Sequence, residues 1–457
     1  MTARIVVVAG SATGVGKTTI TLGLLEAYRR RGMRVQAFKV GPDFIDPGFH
    51  ALVTGRPSYN LDGWMCGRDA VIDCVARHSA DADLVVVEGM MGCFDGLDGA
   101  SEEGSTAQIA KWLDAPVVLV LDAGRVSRSA GAIALGFERF DRALDVAGVI
   151  VNGVGGTAHR GWVRDAIVGA CRAVFLGALS HDASLTLPER HLGLVTAAEG
   201  PLDADRRGRL ATTVAASIDL DRLAGLARPL AVPPPQASSR GGPRGVVKIG
   251  VARDAAFQFY YAENLAALEA AGATLVAWSP LTDHDVPAVD GLYFGGGYPE
   301  LHAAALADNA RVRGQVAAFA AAGKPIYAEC GGLMFLARAL EDPAGDVRPM
   351  VGVLPATVSM RPSRMTLGYS EVVFSADTPL GKAGTTARGH EFHFSTMTAP
   401  HGVARTYRVN VPGATDNGER REGFLVGRTL MSYVHLHFAS NPELAPAFVR
   451  ACAEARA

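Results

Sequence analysis

The sequence predicts an α/β protein made of two successive domains, and three observations carry that prediction. The first half alternates short, continuously apolar segments with stretches of helix length, a pattern typical of strands buried on both faces of a parallel sheet. A segment rich in proline, serine and glycine interrupts the chain at 228–245. A second α/β alternation begins after it. We therefore expect domains at 1–227 and 246–457, joined by a linker at 228–245.

Six apolar runs define the strands expected in the first domain: 5–8, 35–40, 84–87, 117–121, 146–151 and 174–179. Polar side chains follow the ends of several of these runs. Because the carboxyl ends of parallel strands meet at one edge of an open α/β sheet, where ligands bind, we expect these side chains to lie together. They are Lys39, Asp43, Asp46, Glu88, Asp122 and Asn152.

A glycine-rich segment at 10–19 lies between the first strand and an amphipathic stretch. Glycines let backbone N–H groups point at an anion, and the following helix presents its positive N-terminus to the same anion. Lys17 and Thr18 supply the ammonium and the hydroxyl that reach phosphates and magnesium in such loops. The spacing departs from the common pattern, because Ser11 stands five residues before Gly16. The segment predicts a variant nucleoside triphosphate site.

Composition and charge exclude several other classes of function. The formal net charge is −2 and no block of Lys and Arg occurs, which argues against nucleic acid or an anionic membrane as a partner. No apolar stretch approaches the length of a membrane span, and the N-terminus lacks a signal-peptide pattern. The six cysteines are scattered, without a C-x-x-C pair. We expect a cytoplasmic protein with reduced thiols.

The second domain is expected to be mixed, with parallel strands first and shorter alternating strands later. The early strands are predicted at 246–251, 275–278, 291–294 and 326–328, and the helices at 260–271, 310–322 and 333–340. The later strands are predicted at 352–360, 367–374, 390–394, 406–411, 423–426 and 431–438.

Cys330 stands between a predicted strand and a predicted helix, beside two glycines. A nucleophile on such a turn is exposed, and the helix N-terminus is expected to lower the pKa of the thiol. The glycines at 295–297 could present backbone N–H groups to an oxyanion. His435 and His437 alternate along a predicted strand, and either could act as a base. The alternative is a buried cysteine that simply ends a strand.

These motifs together resemble the cobyrinic and hydrogenobyrinic acid a,c-diamide synthases of cobalamin biosynthesis, over essentially the whole chain. The first half, which resembles dethiobiotin synthetase, matches through the phosphate loop and through 38–48, 60–62 and 87–92. The second half resembles the class I, triad-type glutamine amidotransferases through 327–332, 389–393 and 432–438. The resemblance implies a P-loop parallel-sheet synthetase domain followed by a class I glutamine amidotransferase α/β domain.

The resemblance also implies roles for the residues of the first domain. The ATP phosphates would be held by Gly14, Val15, Gly16, Lys17, Thr18 and Thr19, and the adenine would be read by Asn152. Magnesium would be held by Thr18 and Glu88 with Asp43 or Asp46, while Lys39 would neutralise charge during phosphoryl transfer. Candidate contacts for a polycarboxylate substrate are Asp95, Arg56, Arg190, His191, Arg361 and Arg364.

In the second domain the resemblance implies that Cys330 attacks glutamine, that His435 is its base and that the Gly296-Gly297 turn forms the oxyanion hole. Two positions depart from the general amidotransferase pattern. Ala328 replaces the usual glycine two residues before the cysteine, and His437 stands where the third triad member, a glutamate, usually follows the base. The sequence therefore leaves open which group orients His435.

The implied activity is ATP- and glutamine-dependent amidation of the a and c acetate groups of a corrinoid acid, through an acyl phosphate and ammonia. ATP, glutamine and the corrinoid would be substrates, Mg²⁺ the cofactor and a second copy of the chain a partner. Two alternatives share the motifs: a nickel-sirohydrochlorin a,c-diamide synthase and a cobyric acid synthase. A third is a switch ATPase with this type of phosphate loop, which would not need Cys330 and its histidines.

Overall fold

The computed structural model describes residues 3–185, 189–190, 193–233, 247–362, 365–398, 402–412 and 420–456. The chain divides into two compact units, 1–237 and 238–457. No helix within these ranges is both long and apolar enough to cross a bilayer. The predicted linker at 228–245 is described only as far as residue 233, so its extent stays a prediction.

The first unit is built around an eight-stranded sheet. The strands of this unit are β1 Arg4–Gly10, β2 Val35–Val40, β3 Tyr59–Leu61, β4 Leu84–Glu88, β5 Val117–Asp122, β6 Val146–Val154, β7 Val174–Ser180, β8 Glu189–Arg190, β9 Gly193–Leu194 and β10 Arg228–Pro229. Seven of them run parallel in the order β3-β2-β4-β1-β5-β6-β7, while β8 and β9 pair only with each other. The predicted parallel sheet is confirmed.

Helices connect the parallel strands and cover the sheet. They are α1 Lys17–Arg30, α2 Asp46–Thr54, α3 Gly63–His78, α4 Thr106–Trp112, α5 Ser129–Phe140, α6 Thr157–Ala170, α7 Ala204–Ser217 and α8 Leu220–Leu226. On one face, Val6 and Val8 of β1 lie in a core cluster with Leu22 of α1 and Val214 of α7. The continuous apolar runs of the strands follow from this arrangement, because a central parallel strand is buried on both faces.

Strand β10 closes the first unit against its own first strand. Arg228 and Pro229 pair antiparallel with the beginning of β1, and the Leu230 amide donates to the Ala3 carbonyl at 2.7 Å. The guanidinium of Arg4 donates to the Ala227 carbonyl at 2.9 Å. The segment predicted as a linker therefore begins with residues that extend the sheet.

The second unit contains a ten-stranded mixed sheet and a separate four-stranded sheet. Its strands are β11 Val247–Ala252, β12 Ala273–Trp278, β13 Gly291–Phe294, β14 Ile326–Glu329, β15 Ala337–Glu341, β16 Val347–Pro349, β17 Leu354–Ser359, β18 Thr366–Phe374, β19 Thr386–His393, β20 Thr396–Met397, β21 Ala404–Asn410, β22 Arg420–Val426, β23 Thr429–Ser432 and β24 His435–Leu436. Its helices are α9 Ala262–Ala270, α10 Ala303–Asp308, α11 Ala310–Ala321, α12 Gly331–Leu336 and α13 Leu444–Glu454.

The large sheet has the order β12-β11-β13-β14-β23-β22-β21-β18-β19-β24. Its first five strands are parallel and the others antiparallel, as the predicted change from continuous to alternating apolar patterns requires. The small sheet has the order β16-β15-β17-β20.

Two elements of the second unit differ from the prediction. The helix expected at 333–340 ends at Leu336, and β15 follows it, because the apolar run pairs with β16 and β17 instead of continuing the helix. The strand expected at 431–438 is divided into β23 and β24. The Val434 amide donates to the Ser432 hydroxyl at 2.9 Å at the turn, so β23 joins β14 while β24 joins β19.

The close approach of α1 and α7 gives a test of this packing. A Cβ on Gly23 would lie 2.4 Å from Val214 Cγ2. The valine side chain is branched at Cβ and cannot easily move away. We expect Gly23→Ala to destabilise the protein by about 1–3 kcal/mol through overpacking, although alanine favours a helix. Urea denaturation followed by circular dichroism measures this change.

Gly161 of α6 is the matched control, since a Cβ there would meet nothing within 4 Å. Gly161→Ala should stabilise the protein by up to about 1 kcal/mol. Stabilisation by both alanines would contradict the described contact between α1 and α7.

Candidate active sites

The phosphate loop follows β1 and leads into α1. Gly14 and Gly16 have φ angles of 78° and 93°, which side chains rarely adopt, and these angles turn the backbone around the loop. Asn152, at the end region of β6, donates from Nδ2 to the Val15 carbonyl at 3.1 Å. A Cβ on Gly16 would lie 2.3 Å from that same nitrogen. Asn152 therefore braces the loop, while its predicted contact with adenine stays a prediction.

Four side chains form a cluster behind the loop: the buried Lys39, Asp46 and Glu88, and the half-buried Thr18. The Lys39 ammonium donates to Asp46 Oδ2 at 2.6 Å and to Glu88 Oε1 at 3.1 Å. The Thr18 hydroxyl lies 2.6 Å from Glu88 Oε1 and 3.2 Å from Asp46 Oδ2. The sequence predicted that these side chains would gather at the carboxyl edge of the sheet, and the structure brings them together.

The charges in the cluster are not balanced by Lys39 alone. Burial would raise the pKa of Glu88, but the Lys39 charge and the hydrogen bonds from His50 and Thr18 outweigh it and hold that pKa below its ordinary value. Burial, together with the neighbouring Asp43 carboxylate, raises the pKa of Asp46 well above its ordinary value. The cluster therefore holds more carboxylate than positive charge.

His50 of α2 completes the surroundings of Glu88. Its Nε2 lies 2.7 Å from Glu88 Oε2, and its Nδ1 lies 3.1 Å from the Ser58 hydroxyl. The second carboxylate oxygen is thus held away from Thr18 and Lys39. His50 was not predicted from the sequence; its position four residues after Asp46, on the same helix face, is the signal that could have identified it.

Asp43 has a different setting from Asp46. Its Oδ1 accepts from the amides of Ile45 and Asp46, at 2.8 and 3.0 Å, and its other oxygen lies 3.8 Å from the Lys39 ammonium. Asn60 donates to the Asp43 carbonyl at 2.7 Å. Asp43 therefore shapes the turn before α2, whereas Asp46 lies directly beside Thr18.

The predicted substrate contacts have mixed outcomes. Arg56 has other partners: its guanidinium forms two hydrogen bonds with Asp81, at 2.8 and 2.6 Å, and a third with Gln36 at 2.8 Å, and its contact with substrate stays a prediction. Gln36 and Asp81 lie near the amino ends of β2 and β4, which is the edge opposite the phosphate loop. Arg56 therefore stabilises the far end of the sheet.

Asp95 accepts from the Gly92 amide at 2.8 Å and acts electrostatically on Lys17, so it lies beside the phosphate loop.

Arg361, in the second unit, is exposed and donates to the Ala344 carbonyl at 3.2 Å. His191 and Arg364 lie outside the described residues, and of Arg190 only the backbone is described. Substrate contacts by these residues stay predictions.

Cys330 occupies a strained turn between β14 and α12. Its φ is 48°, its amide donates to the Ser432 carbonyl at 2.7 Å, and its carbonyl accepts from the Met334 amide at 3.0 Å. The strand on one side and the helix on the other therefore impose the conformation. Burial and the Glu300 carboxylate raise the pKa of the Cys330 thiol, opposite to the lowering expected from the helix N-terminus.

His435 lies on β24 opposite His390 of β19, and the two rings stack with their centroids 5.3 Å apart. Burial and the neighbouring His390 lower the pKa of His435 well below its ordinary value. A Cβ on Gly296 would lie 2.5 Å from His435 Cε1, and one on Gly331 would lie 3.1 Å from the Gly297 amide. The turn at 296–297 thus touches both the cysteine loop and the histidine.

The oxyanion prediction requires a correction within that turn. The Gly296 amide already donates to the Phe259 carbonyl at 3.2 Å. A Cβ on Gly297 would lie 2.0 Å from the Ala256 carbonyl oxygen, so only glycine fits there. The amide of Gly297, and not that of Gly296, stays the candidate donor.

His437 takes part in a local turn and packs against an aromatic ring. Its Nδ1 accepts from the Ala439 amide at 3.3 Å, and its ring lies against Tyr261 with centroids 4.5 Å apart. Burial lowers its pKa to about 4. Because His435 contacts the glycine turn and His437 caps a local turn, the geometry favours His435 as the base.

Glu329 is a second residue near the site that was not predicted from the sequence. Its Oε2 lies 3.9 Å from His435 Nδ1, and its side chain is fully buried. The signal in the sequence is its position immediately before Cys330.

Comparison with known proteins gives matches over nearly the whole chain. The model of the CobQ/CobB/MinD/ParA nucleotide binding domain matches residues 6–195, and that of the CobB/CobQ-like glutamine amidotransferase domain matches residues 248–443. A cobyrinate a,c-diamide synthase of Syntrophotalea carbinolica is 48% identical, with 98% of each chain covered. Those of Synechococcus and Priestia megaterium are 42% and 40% identical, with 99% and 100% of this chain and 99% and 98% of theirs covered.

Removal of the Lys39 charge tests the electrostatics of the cluster. We expect Lys39→Met to destabilise the protein by about 3–5 kcal/mol at pH 8, because the Asp46 and Glu88 carboxylates lose their buried cation. The loss should be smaller at pH 5.5. Without Lys39 the carboxyl pKa values in the folded state lie above those of the unfolded chain, so stability rises as pH falls. Urea denaturation at the two pH values measures the difference.

Lys382→Met is the control, because the Lys382 side chain is 85% exposed in its ion pair with Asp377. It should change stability by less than about 1 kcal/mol at either pH. An equally small effect of Lys39→Met would contradict the described charge balance.

Proposed function

The chain belongs to the cobyrinate a,c-diamide synthase family, and from this premise we propose how its residues divide the work of one ligase. The protein is a glutamine-hydrolysing ligase that carries out amidation in cobalamin biosynthesis, with ATP and glutamine as co-substrates. The observation that supports our assignment of roles is that one chain carries a phosphate loop backed by the Lys39 cluster and also a cysteine on a strand-to-helix turn. We assign carboxylate activation to the first and ammonia release to the second.

In the first unit, a substrate carboxylate oxygen attacks the γ-phosphorus of ATP, and ADP leaves. The loop amides at 14–19 and the Lys17 ammonium hold the phosphates, and Lys39 offsets the charge that builds up as the phosphoryl group moves. Ammonia then attacks the carbon of the acyl phosphate and phosphate leaves, which gives the amide. The reaction is carried out at the a and c acetate groups.

We propose that Thr18, Asp46 and Glu88 hold Mg²⁺. The donor set fits this ion, since it consists of a hydroxyl and two carboxylates. Burial and, after it, the Asp43 carboxylate raise the pKa of Asp46, and a divalent cation would favour its ionised form. When bound, Mg²⁺ neutralises phosphate charge. Asp43 is the weaker candidate, because one of its oxygens is used by the turn.

In the second unit, the sulfur of Cys330 attacks the carboxamide carbon of glutamine. Because the pKa of the thiol is raised, His435 takes its proton during the attack and passes it to the departing nitrogen, which leaves as ammonia. Water then hydrolyses the γ-glutamyl thioester and releases glutamate. The Gly297 amide is our candidate donor to the oxyanion.

The alternatives differ in their support. A switch ATPase would have no use for the amidotransferase domain matched at 248–443. A nickel-sirohydrochlorin a,c-diamide synthase and a cobyric acid synthase share the motifs, but the curated relatives at 38–48% identity are named cobyrinate a,c-diamide synthases. We therefore propose cobyrinic acid or its cobalt-free form as the substrate. We also propose that the protein acts in the cytoplasm.

Separation of the two half-reactions tests the proposal. Cys330→Ala should abolish glutamate release and glutamine-dependent amidation, but concentrated ammonium at pH 9 should restore amidation, because free ammonia replaces the second unit. Lys17→Ala should abolish amidation with either nitrogen source while some glutaminase activity persists. Mass spectrometry of the corrinoid product and a glutamate assay measure the two reactions.

The half-buried Cys171 is the matched control, and Cys171→Ala should leave both reactions near the wild-type rate. Undiminished glutamate release by Cys330→Ala would exclude Cys330 as the nucleophile. Amidation by Lys17→Ala would exclude the phosphate loop as the ATP site.

The two aspartates distinguish the ligands of the metal. Asp46→Asn should weaken Mn²⁺ binding in the presence of ADP by about tenfold or more, because it removes a charge beside Thr18, whereas Asp43→Asn should change it by less than about threefold. Electron paramagnetic resonance titration of free Mn²⁺ measures both without turnover. Equal effects of the two substitutions would remove the preference for Asp46.

A further inference from the structure

In the second unit, the carboxylate that usually orients the catalytic histidine is not at its expected position, because His437 stands where a triad glutamate is usual. A base that accepts and returns a proton works faster when an anion orients its ring and stabilises the imidazolium that forms. Three fully buried carboxylates lie in the strands around His435: Glu329, Glu391 and Glu422. Their contacts decide which one can serve.

Glu391 and Glu422 are committed to other partners. Glu391 forms an ion pair with Arg420 and accepts from the Ser370 hydroxyl at 2.9 Å, so its charge is already matched by a cation. Glu422 accepts from the Ser432 hydroxyl and from the Tyr433 amide, the latter at 2.8 Å. Glu391 also acts electrostatically on His435, but it shares its charge with Arg420.

Glu329 is fixed beside His435 by the backbone itself. Its Oε1 accepts from the Leu436 amide at 3.0 Å and from the Tyr327 hydroxyl at 2.5 Å. Its Oε2 accepts from the Tyr293 hydroxyl at 2.8 Å and lies 3.9 Å from His435 Nδ1. The Leu436 bond ties the carboxylate to the residue next to the histidine, so the two groups keep their separation.

The charge of Glu329 has one natural counterpart. Its three hydrogen-bond donors are neutral, and among the described residues His435 is the one group within 4 Å of it that can become a cation. A fully buried carboxylate is costly without a cation or a proton. Burial raises its pKa to about 7, so the carboxylate form is disfavoured unless a cation forms beside it.

We propose that Glu329 is the positioning residue of His435, placed in the sequence before the nucleophile instead of after the base. It holds the imidazole with Nδ1–H toward Oε2, so that Nε2 is the unprotonated nitrogen that takes the Cys330 proton, and it stabilises the imidazolium. The proposal rests on the proposed roles of Cys330 and His435. The ionisable groups that act on His435 from the neighbouring strand are His390, Glu391 and His393.

Glu329→Gln tests the proposal by removal of charge with little change in shape. We expect kcat for glutamine hydrolysis to fall by about 10- to 1000-fold with KM changed by less than about threefold, because the carboxylate acts on proton transfer and not on binding. The acid limb of the kcat/KM profile should move to lower pH by about one unit, since loss of a nearby anion lowers a histidine pKa. Glu329→Asp, which keeps the charge, should recover part of kcat.

Glu422→Gln is the matched control, because Glu422 is equally buried and burial raises its pKa to about 7 as well. Glu422→Gln should not move the acid limb of the kcat/KM profile. Wild-type kcat and pH profile in Glu329→Gln, or equal changes in the two glutamine variants, would overturn the proposal. Glutaminase activity that survives in Cys330→Ala would instead overturn the proposed function on which it rests.

A second measurement does not depend on the folding of any Glu329 variant. The wild-type protein is labelled with ¹⁵N-histidine, and its spectrum contains the resonances of 12 histidines. The resonances that are absent from the spectrum of His435→Gln are assigned to His435. We expect the neutral ring to carry its proton on Nδ1, toward Glu329. A ring with its proton on Nε2 would overturn the proposal.

Discussion

The ammonium of Lys39 is the charge on which the first unit's site depends. Three carboxylates lie within 4 Å of it at the carboxyl edge of a parallel sheet, and Lys39, Asp46 and Glu88 are buried there. Burial alone would lower the pKa of Lys39, but Asp46 and Glu88 outweigh it and keep the lysine charged. The same carboxylates then retain an excess of negative charge. This excess of negative charge is the feature on which the proposed Mg²⁺ site rests.

Much of the fold could be predicted from the sequence because its strands are continuous apolar runs. Strand β2 has the predicted bounds, and β4 and β5 extend one residue beyond theirs. The helix expected at 333–340 failed for a physical reason: an apolar run that is buried on all sides fits a helix or a strand, and only long-range pairing with β16 and β17 decides.

The sites were predictable where a polar residue ends a strand, and unpredictable where contacts cross the sequence. Lys39, Asp46 and Glu88 could be grouped because parallel strands end at one edge. The ion pair of Arg56 with Asp81 lies at the opposite edge of the sheet, and no local pattern reveals it. Glu329 was missed because its distance to His435 arises from the pairing of β14 with β23 and from the Leu436 hydrogen bond.

The antiparallel pairing of β10 with β1 determines where the first unit can be cut. Arg228 also forms ion pairs with Asp114 and Asp145, at 3.0 and 2.5 Å, so the segment after α8 clamps two loops at the amino edge of the sheet. A fragment that stopped at residue 227 would expose the backbone of Ala3 and leave both aspartates without this cation. Dissection of the protein into its two halves therefore has to keep the chain through Leu230 with the nucleotide-binding half.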